Sequence, residues 1–263
     1  MTKSIKTITL GCRLNSYESD VINNYSNASS NKDILVINTC AVTSEAERQA
    51  RQQIRKARKQ FPEAYIIATG CAVEIDQKSW NKMPEIDKII PNENKLKPSL
   101  WGLKPEIDNQ KAIKEDAQHL NALKIKNEKT RAFVRIQNGC NHSCTFCIIT
   151  KARGDSNSVP SGLIITEIKN IINSGIEEVI LTGVDLTSYG EDLPGKNNLG
   201  ILVKKILKYV PELKRLRISS LDAAEIDLEL LEAFKTEKRL MPHIHLSLQS
   251  HDDLILKRMK RRH

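Results

Sequence analysis

The chain has 263 residues and 40% hydrophobic content, enough to bury the core of one large α/β unit or of two domains. Its first residues, MTKSIKTITL, lack the apolar run of a signal peptide, and no apolar run approaches the ~18 residues that span a bilayer. We therefore expect a cytoplasmic protein that is neither secreted nor embedded in a membrane. The net charge of +9 predicts a polyanionic partner or, alternatively, a solvated lysine-rich surface.

The first third of the chain alternates β-type runs with helical stretches. The runs are KTITLG, ILVINT and YIIATG. Helices are predicted from about Ser16 and from about Ser44 to Gln60. Thr43 or Ser44 can cap the second helix, with Glu47 near its third position. This alternation predicts an open parallel α/β sheet domain over residues 1–92, with crossover helices.

A polar, lysine-rich stretch, residues 93–129, is predicted to be a linker. After it the alternation resumes with AFVRIQ, EVILTG, RLRISS and HIHLSL, each followed by a helix, at about 160–174, 199–209, 225–234 and from about Asp252. Four successive βα units predict a partial (β/α) barrel over residues 130–263. Because the sequence stops within the fourth helix, we expect a fragment of a longer polypeptide. No GxGxxG or Walker-type phosphate loop is found.

Three widely spaced cysteines, Cys12, Cys40 and Cys71, each follow directly on a predicted strand. The carboxyl ends of parallel strands share one edge of a sheet, so these thiols are predicted to converge where such sheets bind ligands. Thiols stay reduced in the cytoplasm, which favours metal or redox chemistry over disulfides. The alternative interpretation is three separately buried small hydrophobic residues.

Three more cysteines, Cys140, Cys144 and Cys147, lie in the loop after AFVRIQ, at the active end of a (β/α) barrel. Thiolates bind iron–sulfur clusters and zinc alike. A structural zinc needs a fourth ligand, and His142 is the local candidate, although its place between Cys140 and Cys144 would cramp a tetrahedral site. A 4Fe–4S cluster on three thiolates leaves one iron open to a substrate or cofactor.

The pattern CxxxCxxC, with Phe146 before the last cysteine, resembles the signature of the radical S-adenosylmethionine (SAM) enzymes. Around the other three cysteines, LGCRLNSYESD, INTCAVTSEAERQARQQIRKARKQFP and TGCA resemble the N-terminal domain of the methylthiotransferases. GCRLN and NTCAVT are similar to the branch that acts on N6-threonylcarbamoyladenosine (t6A) beside the tRNA anticodon. The likeness also includes EEVILTGVDLTSYGEDLPG and MPHIHLSLQS.

The resemblance implies replacement of the C2 hydrogen of adenine by a methylthio group, chemistry that cofactors must carry. It assigns Cys140, Cys144 and Cys147 to a 4Fe–4S cluster that cleaves SAM. It assigns Cys12, Cys40 and Cys71 to a second 4Fe–4S cluster that carries the sulfur. It also implies a tRNA substrate and a reducing electron donor of flavodoxin type.

By the same resemblance, further residues are expected at the SAM site: Thr182, Gly183 and Asp185 near the methionyl part, Ser219 and Ser220 near the ribose, and Gln249 at the end of the fourth strand. The alternatives are turn-forming roles, and an ion pair between Asp185 and Arg153. Candidate tRNA contacts are Arg48, Arg51 and Arg55, which repeat at helical spacing; a solvated helix face is the alternative.

Three positions depart from the family pattern: Thr150 stands where proline is common, Asn157 where arginine is common, and His251 where glycine is usual. If position 251 needs a positive φ, histidine would be strained there. Two other functions stay open. One is methylthiolation of another substrate, isopentenyladenosine in tRNA or a ribosomal protein. The other is a non-catalytic, zinc-stabilised RNA-binding protein.

Overall fold

The computed structural model describes residues 5–25, 33–101 and 129–262. The chain forms two compact units. The N-terminal unit comprises Met1–Lys124 with Lys151–Arg153, and the C-terminal unit comprises Ile125–Thr150 with Gly154–His263.

A four-stranded parallel sheet forms the centre of the N-terminal unit, in the order β1-β2-β3-β4. Its strands are β1 Ile5–Thr9, β2 Ile34–Thr39, β3 Tyr65–Gly70 and β4 Lys88–Ile89. The register places Thr9 opposite Asn38 and Thr39 opposite Gly70, so the first three strands end together. The predicted open parallel sheet is therefore confirmed.

Four helices accompany this sheet: α1 Arg13–Asn24, α2 Ser44–Gln60, α3 Cys71–Ile75 and α4 Gln77–Asn81. The predicted cap of α2 is confirmed, since Thr43 Oγ1 accepts a hydrogen bond of 3.0 Å from the Ala46 amide. On α2, Ala50, Ile54 and Ala57 are buried against the sheet, spaced as one helix face requires. Helix α3, which is not predicted from the sequence, begins at Cys71 itself.

Residues 93–101, predicted as the start of the linker, instead pack against the N-terminal unit. Lys95 and Trp101 are both buried, and the Trp101 indole donates to the Lys95 carbonyl at 2.9 Å. The Tyr25 hydroxyl donates to the Leu96 carbonyl at 2.9 Å. The linker prediction is thus wrong for this stretch, and the remainder of it, 102–128, lies outside the described residues.

The C-terminal unit is built from parallel strands and crossover helices. Its strands are β5 Arg131–Arg135, β6 Gln137–Asn138, β7 Asn157–Ser158, β8 Glu178–Thr182, β9 Arg215–Ile218, β10 Ser220–Leu221 and β11 His245–Leu246. Its helices are α6 Ser161–Asn173, α7 Leu199–Tyr209, α8 Leu228–Thr236 and α9 Asp253–Arg258. Helix α5, Ile149–Arg153, begins in this unit, and its last three residues belong to the N-terminal unit. Strands β5, β8 and β9 form a parallel sheet, β10 pairs with β11 in parallel, and β6 pairs with β7 in antiparallel.

The four predicted βα units are all present, and the partial barrel is confirmed as a succession of parallel strands. Helix α7 matches its predicted range, and its buried face, including Leu202, Val203 and Ile206, joins one core with Val179 and Leu216 of the strands. Each such fully buried aliphatic side chain contributes about 1.5–3 kcal/mol to folding. The fourth strand is shorter than HIHLSL suggests. Within the described residues, no helix is long and apolar enough to cross a membrane.

Candidate functional site

The three N-terminal cysteines converge around Cys40. A Cβ placed on Gly11 would lie 2.7 Å from the Cys40 Sγ, so the loop carrying Cys12 runs directly against Cys40. Burial raises the pKa of the Cys40 thiol, and the neighbouring Cys71 and Cys12 raise it further. All six cysteines are free thiols. Three thiols at one sheet edge suit a soft metal or cluster, and their role as ligands stays a prediction.

One buried amide holds two of these cysteine loops together. The Asn15 Nδ2 donates to the Leu10 carbonyl at 2.7 Å and to the Thr39 carbonyl at 2.9 Å. Leu10 lies just before the Gly11–Cys12 turn, and Thr39 immediately precedes Cys40. Asn15 is not among the residues predicted from the sequence, although its position three residues after Cys12 in GCRLN could have indicated a role beside that cysteine.

Behind Asn15 lies a fully buried group of three charges, formed by Glu18, Lys95 and Arg153. The Glu18 carboxylate lies 2.5 Å from the Lys95 Nζ and 2.8 Å from an Arg153 nitrogen. Burial alone would raise the pKa of Glu18, but the charges and hydrogen bonds of its two partners hold the pKa at about 2. Arg153 also donates to the Asn15 Oδ1 at 2.6 Å.

The other three cysteines line a pocket of the C-terminal unit. Cys140 and Cys144 are partly buried and Cys147 is exposed, and all three face this pocket from the loop between β6 and β7. Strand β10, the loops after β8, β10 and β11, and the segment after α9 complete its wall. Its other lining residues are His142, Phe146, Ile149, Val184, Asp185, Leu186, Ser220, Leu221, Asp222, Ser247, Gln249 and Arg261.

Gln137, which the sequence analysis missed, joins the cysteine loop to the loop after β8. Its Oε1 accepts hydrogen bonds from the Val184 amide at 3.0 Å and the Asp185 amide at 2.8 Å. Its Nε2 donates to the Gly139 carbonyl at 2.8 Å. Gly183 is needed beside it, because an added Cβ would lie 2.9 Å from the Gln137 carbonyl oxygen.

Of the six predicted SAM-site residues, three line the pocket and three do not. Asp185, Ser220 and Gln249 line the pocket with the cysteines. Thr182 is buried at the end of β8, where its carbonyl accepts from the Ile136 amide. The Ser219 hydroxyl donates to the Leu181 carbonyl at 2.8 Å, so this hydrogen bond is made to strand β8. The assignment of Thr182, Gly183, Asp185, Ser219, Ser220 and Gln249 to SAM stays a prediction.

Asp185 is the centre of a small group of polar contacts beside Cys140. Its Oδ2 lies 2.8 Å from the His142 Nε2, a close contact without a well-aligned hydrogen bond, and 3.7 Å from the Cys140 Sγ. Burial raises the pKa of the Cys140 thiol to about 11, and Asp185 adds to this. The alternative pairing of Asp185 with Arg153 is wrong, since Arg153 pairs with Glu18 and Asp185 with His142.

Cys140, His142 and Asp185 also form a set that can hold a metal ion, because their ligand atoms lie within 4.8 Å of one another. His142 is the zinc-ligand candidate from the sequence, where its place between Cys140 and Cys144 predicts a cramped tetrahedral site. The structure supplies a third ligand, Asp185, from a loop 45 residues further along the chain than Cys140. A zinc-type donor set therefore overlaps the cysteine loop.

The segment after α9 packs over the cysteine loop. The Thr145 amide donates to the Met259 carbonyl at 3.1 Å, and the Arg261 guanidinium approaches the Cys144 Sγ at 3.8 Å. Arg261 is itself fixed by a largely buried ion pair of 2.7 Å with Asp222. From the sequence, only a helix from about Asp252 is predicted here.

The arginines of α2 do not share one environment. Arg48 and Arg55 are 65% and 59% exposed at the side chain; Arg48 pairs with Glu45 at 2.7 Å and Arg55 lies 3.8 Å from Glu85. Arg51 is only 22% exposed, pairs with Glu47 and stacks over Trp80 at 4.2 Å. Their role as tRNA contacts stays a prediction, and Arg51 has a structural role in addition.

The three positions that depart from the family pattern cause no visible distortion. Among described non-glycine residues, only Gln249 and Lys260 have a positive φ, so the strain considered for His251 does not occur. Asn157 pairs with Asn138 across β6 and β7. The Thr150 carbonyl accepts from the Gly154 amide at 3.0 Å.

Two families match the sequence. Residues 4–91 match a family described as uncharacterized protein family UPF0004, and residues 134–263 match the radical SAM superfamily. A relative from Rickettsia prowazekii, named threonylcarbamoyladenosine tRNA methylthiotransferase MtaB, is 49% identical over 97% of this chain. A relative of the same name from Aquifex aeolicus is 34% identical over 96% of the chain. The chain spans 61% and 64% of their lengths.

Solved structures show the same fold at low sequence identity. A cobalamin-dependent S-adenosylmethionine radical enzyme, OxsB, aligns with 99% of this chain and 46% of its own, with a TM-score of 0.58 and 11% identity. A radical S-adenosylmethionine methyltransferase, TsrM, from Kitasatospora setae aligns with 93% of this chain and 53% of its own, with a TM-score of 0.55 and 11% identity.

Proposed function

Because the chain belongs to the radical SAM methylthiotransferase family, we propose that it methylthiolates t6A next to the anticodon of tRNA. The observation that carries this proposal is the presence of two cysteine trios, one at the carboxyl ends of the parallel strands β1, β2 and β3 and one lining the pocket of the C-terminal unit. A single trio would account for SAM cleavage alone. The second trio supplies the additional site that sulfur insertion requires.

In the C-terminal unit, Cys140, Cys144 and Cys147 would hold the 4Fe–4S cluster. When bound, this cluster and SAM supply the radical chemistry that opens an unactivated C–H bond. The Ser220 hydroxyl and the Gln249 amide offer hydrogen-bonding groups to SAM on the pocket wall. Gln137 holds the two flanking loops at a fixed separation through hydrogen bonds to Asp185 and Gly139.

In the N-terminal unit, Cys12, Cys40 and Cys71 would hold a second 4Fe–4S cluster that carries the sulfur. Their fit rests on three free thiols at one sheet edge, with Asn15 fixing the loops of Cys12 and Cys40.

The remaining parts of the proposal concern partners. The exposed Arg48 and Arg55 on α2 suit phosphate contacts with tRNA, whose affinity is largely electrostatic. Reduction of the first cluster requires an electron donor, for which we propose a flavodoxin-like protein. A tRNA substrate implies a cytoplasmic location.

Two cysteine variants test the division of labour. Cys144→Ser is expected to abolish formation of 5′-deoxyadenosine from SAM. Cys40→Ser is expected to retain that cleavage and to lose the methylthio product, measured by mass spectrometry of tRNA nucleosides. A Cys40→Ser protein that still forms the product would overturn the proposal.

A different substrate is the nearest competing function within the family. A relative from Ehrlichia canis, named tRNA-2-methylthio-N(6)-dimethylallyladenosine synthase, is 29% identical over 99% of this chain. Nucleosides of tRNA from a strain lacking the gene decide between the two. Loss of the 2-methylthio form of t6A supports the proposal, whereas its persistence without a paralogue contradicts it.

A zinc-stabilised RNA-binding protein is favoured by one observation, the ligand set of Cys140, His142 and Asp185. Metal analysis after anaerobic purification separates the two functions. About eight irons per chain supports two 4Fe–4S clusters, while stoichiometric zinc without iron supports the binding protein.

A further inference from the structure

The buried charges behind the N-terminal cysteines have no part in the reaction described so far. The side chains of Glu18, Lys95 and Arg153 are each no more than 2% exposed. Removing three ionised groups from water costs several kcal/mol per ion, which pairing only partly offsets. A group of this kind is therefore weak evidence for stability, and its position suggests another role.

These charges lie next to the second cysteine trio. Arg153 hydrogen-bonds at 2.6 Å to the Oδ1 of Asn15, the residue that fixes the loops of Cys12 and Cys40. Lys95 Nζ lies 3.5 Å from the Oδ1 of Asn38, two residues before Cys40. The Cys71 sulfur favours the charged forms of both cations: it opposes the lowering of the Lys95 pKa by burial and helps to raise the pKa of Arg153.

By side-chain type the group pairs two cations with one anion, each within ion-pair distance of the carboxylate. Glu18 is ionised at neutral pH, because its pKa is about 2. Burial lowers the pKa of Arg153, but the Glu18 carboxylate and the Cys71 sulfur raise it by more. Burial lowers the pKa of Lys95, but the carboxylate 2.5 Å away favours the protonated amine. Two cations and one anion leave one unit of positive charge in a place that water does not screen.

We propose that Lys95 and Arg153 are positioning residues for the second 4Fe–4S cluster, and that the single positive charge they share with Glu18 raises its reduction potential. This inference rests on the proposed function, which places that cluster on Cys12, Cys40 and Cys71. With three thiolate ligands the oxidised cluster carries one negative charge, and uptake of one electron makes it two. A fixed positive charge nearby stabilises the more negative, reduced form.

The test measures the potential of the second cluster alone. The full chain carrying Cys140→Ala, Cys144→Ala and Cys147→Ala is reconstituted with iron and sulfide. It is then titrated with dithionite and redox mediators, which supply the one electron, while the reduced cluster is followed by electron paramagnetic resonance. No turnover of the enzyme is needed.

In this background, Lys95→Met removes the net positive charge and Glu18→Gln adds a second one. We expect the reduced-to-oxidised ratio at a fixed poise to fall at least tenfold for Lys95→Met, equivalent to 59 mV for a one-electron couple. Glu18→Gln is expected to shift the ratio in the opposite direction. The double variant restores the original net charge and should return near the parent value.

Further variants keep the outcome interpretable. Lys95→Arg retains the charge and should retain the potential. Lys59→Met removes an exposed lysine of the same unit and should leave the potential unchanged. If Glu18→Gln alone fails to hold iron, Lys95→Met and the double variant still give the comparison. If the charges had only a structural role, the two single variants would not shift the reduced-to-oxidised ratio in opposite directions.

The two proposals fail in different ways. If the background protein binds no iron, the second cluster and the proposed function are both wrong. If it binds about four irons but Lys95→Met leaves the ratio unchanged, or if both single variants shift it in the same direction, the electrostatic role is wrong and the proposed function stands.

Discussion

At the scale of single residues, buried amides organise both cysteine sites. Gln137 contributes four hydrogen-bonding directions, and each is satisfied inside the C-terminal unit. Replacing a residue that orients metal ligands often lowers metal affinity or activity by about 10–100-fold. We therefore expect the replacement of Gln137 to lower activity although it is not itself a ligand.

Replacement of Gln137 by leucine is expected to slow SAM cleavage by about 10–100-fold while the protein stays folded. The physical reason is that the amides of Val184 and Asp185 lose their common acceptor and the loop after β8 loosens. The rate of 5′-deoxyadenosine formation measures this. Ser156→Ala, which removes a single contact to the Gln137 Nε2, serves as the milder control.

A second prediction at this scale concerns acid stability. The pKa of Glu18 is about 2 in the folded protein and near 4.5 otherwise, so its ionisation contributes about 3 kcal/mol above pH 4.5. That contribution is lost as the pH falls from 4.5 towards 2. We expect the free energy of unfolding in urea to decline over this window.

The Glu18 prediction has a matched control. Glu63→Gln, an exposed position of the same unit, should preserve the decline with pH, whereas Glu18→Gln should be less stable at neutral pH and show a flatter profile. An equal slope in both variants would contradict the assignment to Glu18.

At the scale of secondary structure, helix α2 carries arginines of two kinds. Arg58 donates to the carbonyls of Pro62, Ala64 and Glu85 and pairs with Asp87 at 2.5 Å, so it holds the end of the helix to the sheet. Arg48 and Arg55 make only exposed ion pairs, which contribute little to stability.

Substitution on α2 should therefore separate binding from stability. Arg48→Gln and Arg55→Gln are each expected to weaken tRNA binding and to reduce the slope of log affinity against log salt by about 1. Arg58→Gln should instead lower the free energy of unfolding by about 1–3 kcal/mol. Filter binding over a salt series and urea denaturation measure the two effects. If the slope of log affinity against log salt is unchanged in Arg48→Gln and Arg55→Gln, these arginines do not contact the RNA phosphates.

The end of β3 is the tightest place in the N-terminal sheet. Gly70 has φ +100°, and an added Cβ would lie 2.3 Å from the Thr39 carbonyl oxygen and 2.4 Å from its amide nitrogen. Gly70→Ala is therefore expected to cost more than about 1 kcal/mol in unfolding free energy and to displace Cys71. Gly162→Ala, on α6 with open space around it, should stabilise slightly, by about 0.5–1 kcal/mol.

At the scale of the whole molecule, the sequence predicted the order of strands and helices well. The reason is that hydrophobic period and capping are local properties, as in α2 and α7. What it missed depends on distant partners. Asn15 meets Thr39 across 24 residues, Gln137 meets Asp185 across 48, and Lys95 meets Asn38 across 57. No periodicity marks a polar residue whose partner comes from another loop.

The burial of Lys95 is the clearest case of this limit. Lysine within NENKLKPSLW is typical of a solvated linker. Its burial is tolerable because it pairs with the Glu18 carboxylate, 77 positions earlier in the numbering. The cysteines were easier to locate, because each follows a strand that the sequence identifies.

The C-terminal unit exposes an apolar strip on and around β11. Ile244, Leu246 and Leu248 are each 44–47% exposed, and Leu254 is 57% exposed. Exposed apolar strands favour self-association. Leu246→Lys is expected to reduce light scattering at high protein concentration and to change the unfolding free energy by less than about 0.5 kcal/mol. Leu216→Lys, in the core, should unfold the protein instead.

The backbone of Gln249 has a consequence for how this pocket is maintained. With φ +66°, glutamine occupies a conformation that glycine adopts freely and that costs other residues about 1–3 kcal/mol. Folding alone would favour glycine here, yet glycine would remove the amide from the pocket wall. Under the proposed function, in which this amide contacts SAM, stability and ligand contact are opposed at this one position.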